Sequence, residues 1–263
     1  MKTVVYQSYR TVNVPAWLGR CMATVREWAA ARGYDYRFID DRLFEYAPPW
    51  YREKVVDDVL LVSDLARLEI ARELLAQGYD RTVWVDADVV VFAPERFAID
   101  AAEDYAFCKE VWVEPAADGT LSCSQRVNNS VSVFVRSNAF LDFYVHACHS
   151  LVRRKPRPER WAVGTHFLTA LHRILPFRLL TTVGMFSPVM MADLARGTDG
   201  ALKAYAARFG GPVYAANLCA SVREVHCHGV LMDDGLYESV VDNLVRTRGA
   251  ALNQFYPGGA GAD

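Results

Sequence analysis

Apolar and polar residues alternate along this chain with two periods, and the first half reads almost element by element. Lys2–Gln7 is a short apolar run closing in polar residues and predicts a strand. Ala16–Ala31 carries Trp17, Cys21, Met22, Val25 and Trp28 at helical spacing, with Gly33 beyond its end, and predicts a helix. Tyr34–Ile39 alternates as a strand does, so a strand–helix–strand unit with a parallel pair is expected. After Ala47-Pro48-Pro49, the positions Leu65, Leu68, Ile70, Leu74 and Leu75 define a helix over Ser63–Gln77, with Ser63 as its expected N-cap and Gly78 as its stop. Arg81–Val85 then predicts a strand ending in Asp86-Ala87-Asp88, and Val89–Phe92 resumes the apolar run.

The second half is less regular. Tyr105–Val113 and Val127–Val135 predict strands joined through a turn at Asp118-Gly119, and Asn138–Val152 predicts a helix. Gly164–Ile174 is expected to be a helix, Phe177–Thr182 a strand, Val222–His226 a late strand leading to Gly229, and Leu236–Thr247 a helix. Between these, Arg153-Arg154-Lys155-Pro156-Arg157-Pro158 is a basic, proline-broken connection. We read it as a solvated loop, with contact to an anionic lipid or acceptor as the alternative. The pattern as a whole is α/β, without internal repeats or a long linker.

Composition narrows the function classes. The 263 residues suffice for a full core, and 52% hydrophobic with 23% charged residues is ordinary globular usage. Lys plus Arg number 29 against 31 Asp plus Glu, a net charge of −2, so no global positive field holds a nucleic acid. The most apolar segments, Val55–Leu65 and Val83–Phe92, are interrupted by aspartates and fall short of the ~20 residues of a membrane span. The sequence opens on Met1-Lys2-Thr3 without an apolar leader, which makes the cytoplasm the default compartment, with peripheral attachment at the inner membrane face as the alternative. Cys21, Cys108, Cys123, Cys148, Cys219 and Cys227 form no C-x-x-C pair and are read as reduced, mostly core thiols.

Asp86 and Asp88 are the strongest chemical signal. Two carboxylates at i and i+2 after a strand can share a hard divalent cation and leave positions open for diphosphate oxygens. With 19 aspartates in the chain a bare D-x-D arises about once by chance, so the context has to carry the assignment. That context is an apolar strand on each side, at the carboxyl end of a strand where α/β sheets bind ligands, and an upstream helix placing Asp64 and Arg67 on one face.

Ser63-Asp64-x-x-Arg67, a helix, and then Asp86-x-Asp88 between apolar strands resemble the GT-A glycosyltransferases, nearest family 32, which shares this arrangement with the glucosylating bacterial toxins, with family 8 close behind. Val127-Asn128-Asn129-Ser130 is similar to the Asn-Ser-Gly-Val strand of family 8, and His226 with Gly229 is similar to its His-x-x-Gly. Val163-Gly164-Thr165 matches the Thr-Gly-Pro entry of the acceptor-side helix only at the glycine, and the indole that ends the family 32 pattern is replaced by Leu231-Met232-Asp233-Asp234.

The resemblance implies one Rossmann-like GT-A domain over 1–256 with a mixed central sheet, a nucleotide-sugar half at about 1–95, an acceptor half at about 96–256, and a flexible tail at 257–263. It also implies that Tyr6, Gln7 and Ser8 lie against the nucleotide, Asp64 and Arg67 on ribose and donor sugar, and Asp86 on ribose or metal-bound water. Asp88 would bind Mn²⁺ or Mg²⁺ directly, with His226 or His228 as a third ligand and Asn128 near the reacting sugar. The implied activity is metal-dependent, retaining transfer from a nucleotide-diphosphate sugar, UDP-linked by resemblance, to an acceptor hydroxyl on a glycan, lipid-linked glycan, small molecule or protein. A non-catalytic nucleotide-sugar or partner-binding domain is the alternative. A sugar nucleotidyltransferase would carry a glycine-rich phosphate loop after the first strand, and Tyr6–Val14 holds no glycine.

Overall fold

Val4, Val5 and Tyr6 are fully buried in β1 (Thr3–Ser8), which pairs in parallel with β2 (Asp35–Ile39) on one side and β3 (Arg81–Val85) on the other. These belong to a computed structural model that describes residues 1–56, 58–99 and 104–256; the tail expected at 257–263 lies outside them. Parallel neighbours require crossovers, and two helices supply them. In α1 (Ala16–Ala31) the residues Trp17, Leu18, Cys21, Val25, Trp28 and Ala29 are buried, and the indole of Trp28 donates to Phe97 O at 2.9 Å. After α2 (Pro49–Lys54) comes α3 (Val59–Ala76), which buries Leu61, Val62, Leu65, Leu68, Ile70 and Leu74.

The N-cap of α3 is Asp58, not Ser63. The Asp58 carboxylate accepts from Leu60 N at 3.1 Å, while the Ser63 hydroxyl donates back to Leu60 O at 3.0 Å. Burial of Leu61 and Val62 makes an extra apolar turn worth winding, so the helix starts one turn before the sequence signal.

Beyond β3 and β4 (Val89–Val91), the chain reverses in a long hairpin of β5 (Tyr105–Pro115) and β6 (Leu121–Val135). The Asp118-Gly119 turn is present: Asp118 accepts from the Thr120 amide at 3.0 Å, and Gly119 takes a φ of +82°. The hairpin starts its return at Leu121 rather than Val127, because the residues there are mostly polar and solvent-facing and leave no apolar alternation to read. Antiparallel pairing of β6 with both β3 and β5 makes the six-stranded sheet mixed, in the order β2-β1-β3-β6-β5-β7, with β7 reduced to Leu179–Leu180. The α/β fold class with a mixed central sheet is therefore as expected.

Helices α4 (Ala139–Arg154), capped by the Asn138 side chain on Leu141 N, and α5 (Thr165–Ile174) match the apolar periodicity. The region after them holds elements that the sequence pattern does not show. β8 (Val183–Met185), α6 (Pro188–Arg196), α7 (Gly200–Phe209) and β9 (Ala215–Asn217) build a second sheet, β4-β9-β8, and one layer over it. The late strand expected at Val222–His226 is instead a helical turn at Ala220–Val222 followed by the two-residue pair β10 (His226–Cys227) and β11 (Val230–Leu231). Glu224 sits at a φ of +65°, which no strand accommodates, and Arg223 turns away to Asp234 at 2.6 Å. α8 (Asp234–Thr247) and α9 (Ala250–Asn253) are the last elements among the described residues.

One core cluster joins α1 and β4 to α6, α7 and α8, so residues from both halves of the chain pack together there. Cys21, Cys108 and Cys148 lie buried in the cores; all six cysteines are free thiols. Among the described residues no helix is long and apolar enough to cross a membrane.

Asn253 fastens the end of the chain: its side chain accepts from Val213 N at 3.1 Å and donates to Val213 O at 2.8 Å, all of it buried. Replacing it strands a donor and an acceptor away from water. Asn253→Ala is expected to lower unfolding stability by about 2–4 kcal/mol in a urea titration; an unchanged midpoint would show that the end of the chain is held by other contacts.

Candidate functional site

Three segments meet at the carboxyl end of β3: the loop Asp86-Ala87-Asp88, the middle of α3, and the start of the β6 return. β6 carries Asn129, Ser130 and Val131 as extra residues between the Phe107–Ser132 and Cys108–Asn128 pairs, and this bulge releases them from β5. The Ser130 carbonyl accepts from Asp86 N at 2.7 Å, which anchors the strand-end loop to β6.

Arg67 is the centre of the constellation. Its guanidinium lies 3.0 Å from Asp64 and 3.2 Å from Asp86, donates to Asn129 O at 3.0 Å, and sits over the Trp84 ring at 5.0 Å. Asn129 in turn donates to Asp64 at 2.9 Å. The side chains of Asp64 and Arg67 are only 9% and 7% exposed, whereas that of Asp86 is 27% exposed. Asp64 and Arg67 are thus turned to each other and to the protein, and Asp86 is the member that reaches the surface. Asp86 takes the Arg67 bond and a 2.6 Å bond from the Trp84 indole on the same oxygen, Oδ1. Burial pushes its carboxyl up to about 7, with repulsion from Asp88 adding to it and the Arg67 guanidinium opposing.

Asp88 is held from the second sheet. Asn217, at the end of β9, donates to one carboxylate oxygen at 2.7 Å, and Ala220 N donates to the other at 2.7 Å. Asn217 also accepts from Cys219 N at 2.7 Å, and Cys219 adopts a left-handed φ of +58° that turns the chain toward Asp88. Burial raises the Asp88 carboxyl too, against the pull of these donors.

The other expected residues distribute as follows. Tyr6 is fully buried, donating its hydroxyl to Arg67 O at 2.7 Å; Gln7 is also buried, donating to Asp86 O at 3.2 Å and accepting from Tyr36 at 2.9 Å. Of this strand end only Ser8 comes near the surface. Asn128 accepts from Ser130 N at 2.7 Å and donates to Glu110 at 2.9 Å. His226 is exposed on β10, and His228 lies 3.8 Å from Glu114. Among the described residues no three metal-type side chains converge, so neither histidine is brought to Asp86 and Asp88.

Sequence reasoning did not single out Asn217, Trp84 or Glu110. Asn217 and Trp84 carry no local signal, since their roles depend on which strand ends meet. Glu110 carries one: a single acid inside an apolar strand, Tyr105 to Val113, is a candidate buried carboxylate. It is 5% exposed, and burial holds its carboxyl above the usual range. Burial and the nearby carboxylates of Asp88, Glu110 and Asp86 likewise raise the Cys219 thiol. Gly164 is also part of the site: a Cβ there would stand 2.6 Å from Asp64 Oδ2 and 3.4 Å from the Asn129 amide. The surface depression lined by Arg72, Leu75, Asn138 and Asp142 lies at the start of α4 and shares no residue with this constellation.

No protein-family model matches the chain, and no curated protein matches it. Among solved structures it is similar to a glycosyltransferase involved in the glycosylation of the major capsid of PBCV-1, at 14% identity over 82% of this chain and 92% of that one, with a TM-score of 0.46. It is also similar to a protein from STIV, at 14% identity over 66% of this chain and 78% of that one, with a TM-score of 0.30. Both likenesses are remote, and the roles of these residues rest on their own geometry.

Removing the shared cation leaves the buried Asp64 and the partly buried Asp86 carboxylates uncompensated. Arg67→Met is expected to cost about 3–5 kcal/mol of stability at pH 8. The loss should shrink toward pH 5 as Asp64 and Asp86 take up protons; a loss independent of pH would mean that Arg67 contributes packing rather than charge.

The raised Asp86 carboxyl gives a second test. Because the folded protein holds that proton up to about 7 and the unfolded chain releases it near ~4, stability falls as pH rises between those values. Melting temperature should drop more steeply from pH 5 to 8 in the wild type than in Asp86→Asn, and equal slopes would place the titration elsewhere.

Proposed function

We propose that this protein is a metal-dependent, retaining glycosyltransferase that moves a sugar from a nucleotide-diphosphate donor, UDP-linked, to an acceptor hydroxyl. The observation that carries the reading is the pair Asp86 and Asp88 at the carboxyl end of β3, each fixed by donors from a different sheet and both held above the usual carboxylate range. Two desolvated carboxylates repelling one another are stabilised by a hard divalent cation, so the pair fits Mn²⁺ or Mg²⁺. Asp86 Oδ2 has no protein hydrogen bond among the described residues and Asp88 keeps spare lone pairs on both oxygens, so each can take part. A third protein ligand is not part of the reading, since His226 does not converge on them.

When bound, the cation supplies Lewis-acid stabilisation of the negative charge growing on the leaving diphosphate. The chain's own residues supply position. Trp84 and Arg67 fix the Asp86 carboxylate, Asn217 and Ala220 fix Asp88, and Gln7 and Ser130 hold the backbone between β3 and its neighbours. Such preorganisation matters because donors set in advance cost no reorganisation when charge develops. In the transfer, the bond from the anomeric carbon to the diphosphate oxygen breaks, the acceptor oxygen forms the new bond on the same face, and the acceptor proton passes to the leaving phosphate oxygen. Arg67 and Asp64 act here through Asp86, as positioning residues; direct contact with ribose or sugar would require them to leave their present partners. Asn128 and Glu110 form a polar pair between β6 and β5, within the acceptor half.

The test needs no acceptor. Thermal melting of wild type and Asp88→Asn is followed with UDP, GDP and CMP, each with and without Mn²⁺; a ligand at ~100 times its dissociation constant adds about 2.7 kcal/mol. The expected result is a shift with UDP that needs the metal and is absent in Asp88→Asn, together with slow hydrolysis of a UDP-sugar. A shift without hydrolysis or transfer would favour a nucleotide-sugar-binding module. No shift with any nucleotide would remove the donor site altogether.

A further inference from the structure

Between residues 153 and 175 the chain carries six cations, Arg153, Arg154, Lys155, Arg157, Arg160 and Arg173, against the single carboxylate of Glu159. The segment is therefore +5 in a protein whose total is −2. All six cations are exposed, and among the described residues no carboxylate lies within ion-pairing distance of Arg154, Arg157, Arg160 or Arg173. A solvated connection would satisfy this description if it were polar throughout. It is not: Ile174 is 84% exposed, and Trp161 and Leu175 are each 51% exposed. Ile174 and Leu175 end α5 beside Arg173, and Trp161 follows Arg160. Exposed large apolar side chains beside unpaired cations are costly in water, and they are matched by one kind of surface, negatively charged at the headgroups and apolar just beneath.

We propose that the segment 153–175 docks this protein onto an anionic lipid surface, with the arginines on lipid phosphates and Trp161, Ile174 and Leu175 entering the headgroup boundary. The cations alone would equally suit a soluble polyanion; the apolar side chains favour lipid, since an extended polyanion offers them nothing to enter. Indole rings in particular prefer that boundary. The placement also has a consequence for the candidate site. α5 starts at Gly164, which closes on Asp64, and runs ten residues to Ile174, a length of about 15 Å. Docking with α5 lying along the surface, Trp161 before its start and Ile174 at its end, would bring the carboxylate pair close to the membrane, where an acceptor carried on a lipid could be presented. The docking itself does not depend on the glycosyltransferase reading, because none of the arginines, Trp161, Ile174 or Leu175 belongs to the donor constellation.

Co-sedimentation of the full chain with vesicles tests it, using phosphatidylcholine alone and phosphatidylcholine mixed with phosphatidylglycerol. The expected result is binding only to the mixed vesicles, weakened by raised salt. The triple variant Arg154→Gln, Arg157→Gln, Arg160→Gln should partition roughly hundredfold less. Ile174→Ser with Leu175→Ser should partition at least roughly tenfold less. Both sets are exposed, so unchanged melting temperatures confirm that the variants are folded. Absence of binding to the mixed vesicles overturns the proposal, as does equal binding to phosphatidylcholine alone. Full binding by the Ile174→Ser, Leu175→Ser variant, with displacement by polyglutamate, also overturns it and marks the patch as a polyanion site.

Discussion

One buried guanidinium organises the centre of this protein. Arg67 on α3 is held between Asp64 and Asp86 and bonded to the backbone of Asn129, so a helix, the end of β3 and the bulge of β6 are tied through a single side chain. A charge in that position is stable only while every partner is present, because the desolvation cost is offset by several short, directed bonds together. Asp64 is likewise raised by burial and drawn down by Arg67. The site therefore has little freedom to drift, which is the condition a preorganised carboxylate pair requires.

The sheet explains why the pair faces two ways. Asp86 follows β3 of the mixed six-stranded sheet and is fixed by Trp84 and Arg67, whereas Asp88 is already beyond it, held by Asn217 at the end of the middle strand of the second sheet and by Ala220 in the turn that follows. The two-residue step from Asp86 to Asp88 is thus the seam between the two sheets. Burial and mutual repulsion raise the Asp86 carboxyl, and the same forces make the seam receptive to a cation. The patch at 153–175 stands outside this network, yet α5 connects the two, with Gly164 against Asp64 at one end and Ile174 in solvent at the other.

The β1–α1–β2 unit, α3, β3, α4 and α5 were legible because each carries apolar residues at helical spacing or a β-rich apolar run. The second sheet and its covering helices were not, since β8 and β9 are three-residue strands, too short to show an alternation, and α7 is rich in alanine, which marks no apolar face. At the candidate site, the spacing of Asp86 and Asp88 and of Asp64 and Arg67 marked the right segments. It could not show that Tyr6 and Gln7 are spent on internal hydrogen bonds, that His226 stays on an exposed hairpin, or that Asn217 is the partner of Asp88.

The sequence by itself determined the α/β class, the parallel start of the sheet and the place of the acidic pair at a strand end, because these follow from local periodicity and from residue types a few positions apart. Only the tertiary structure decided which side chains those carboxylates meet. Asp88 and Asn217 are far apart in sequence, as are Asp64 and Gly164, and such contacts depend on how sheets and helices pack rather than on any local preference. The same reason separates the two faces of the basic segment: its charge is written in the sequence, but the exposure of Trp161, Ile174 and Leu175 beside it is a property of the folded surface.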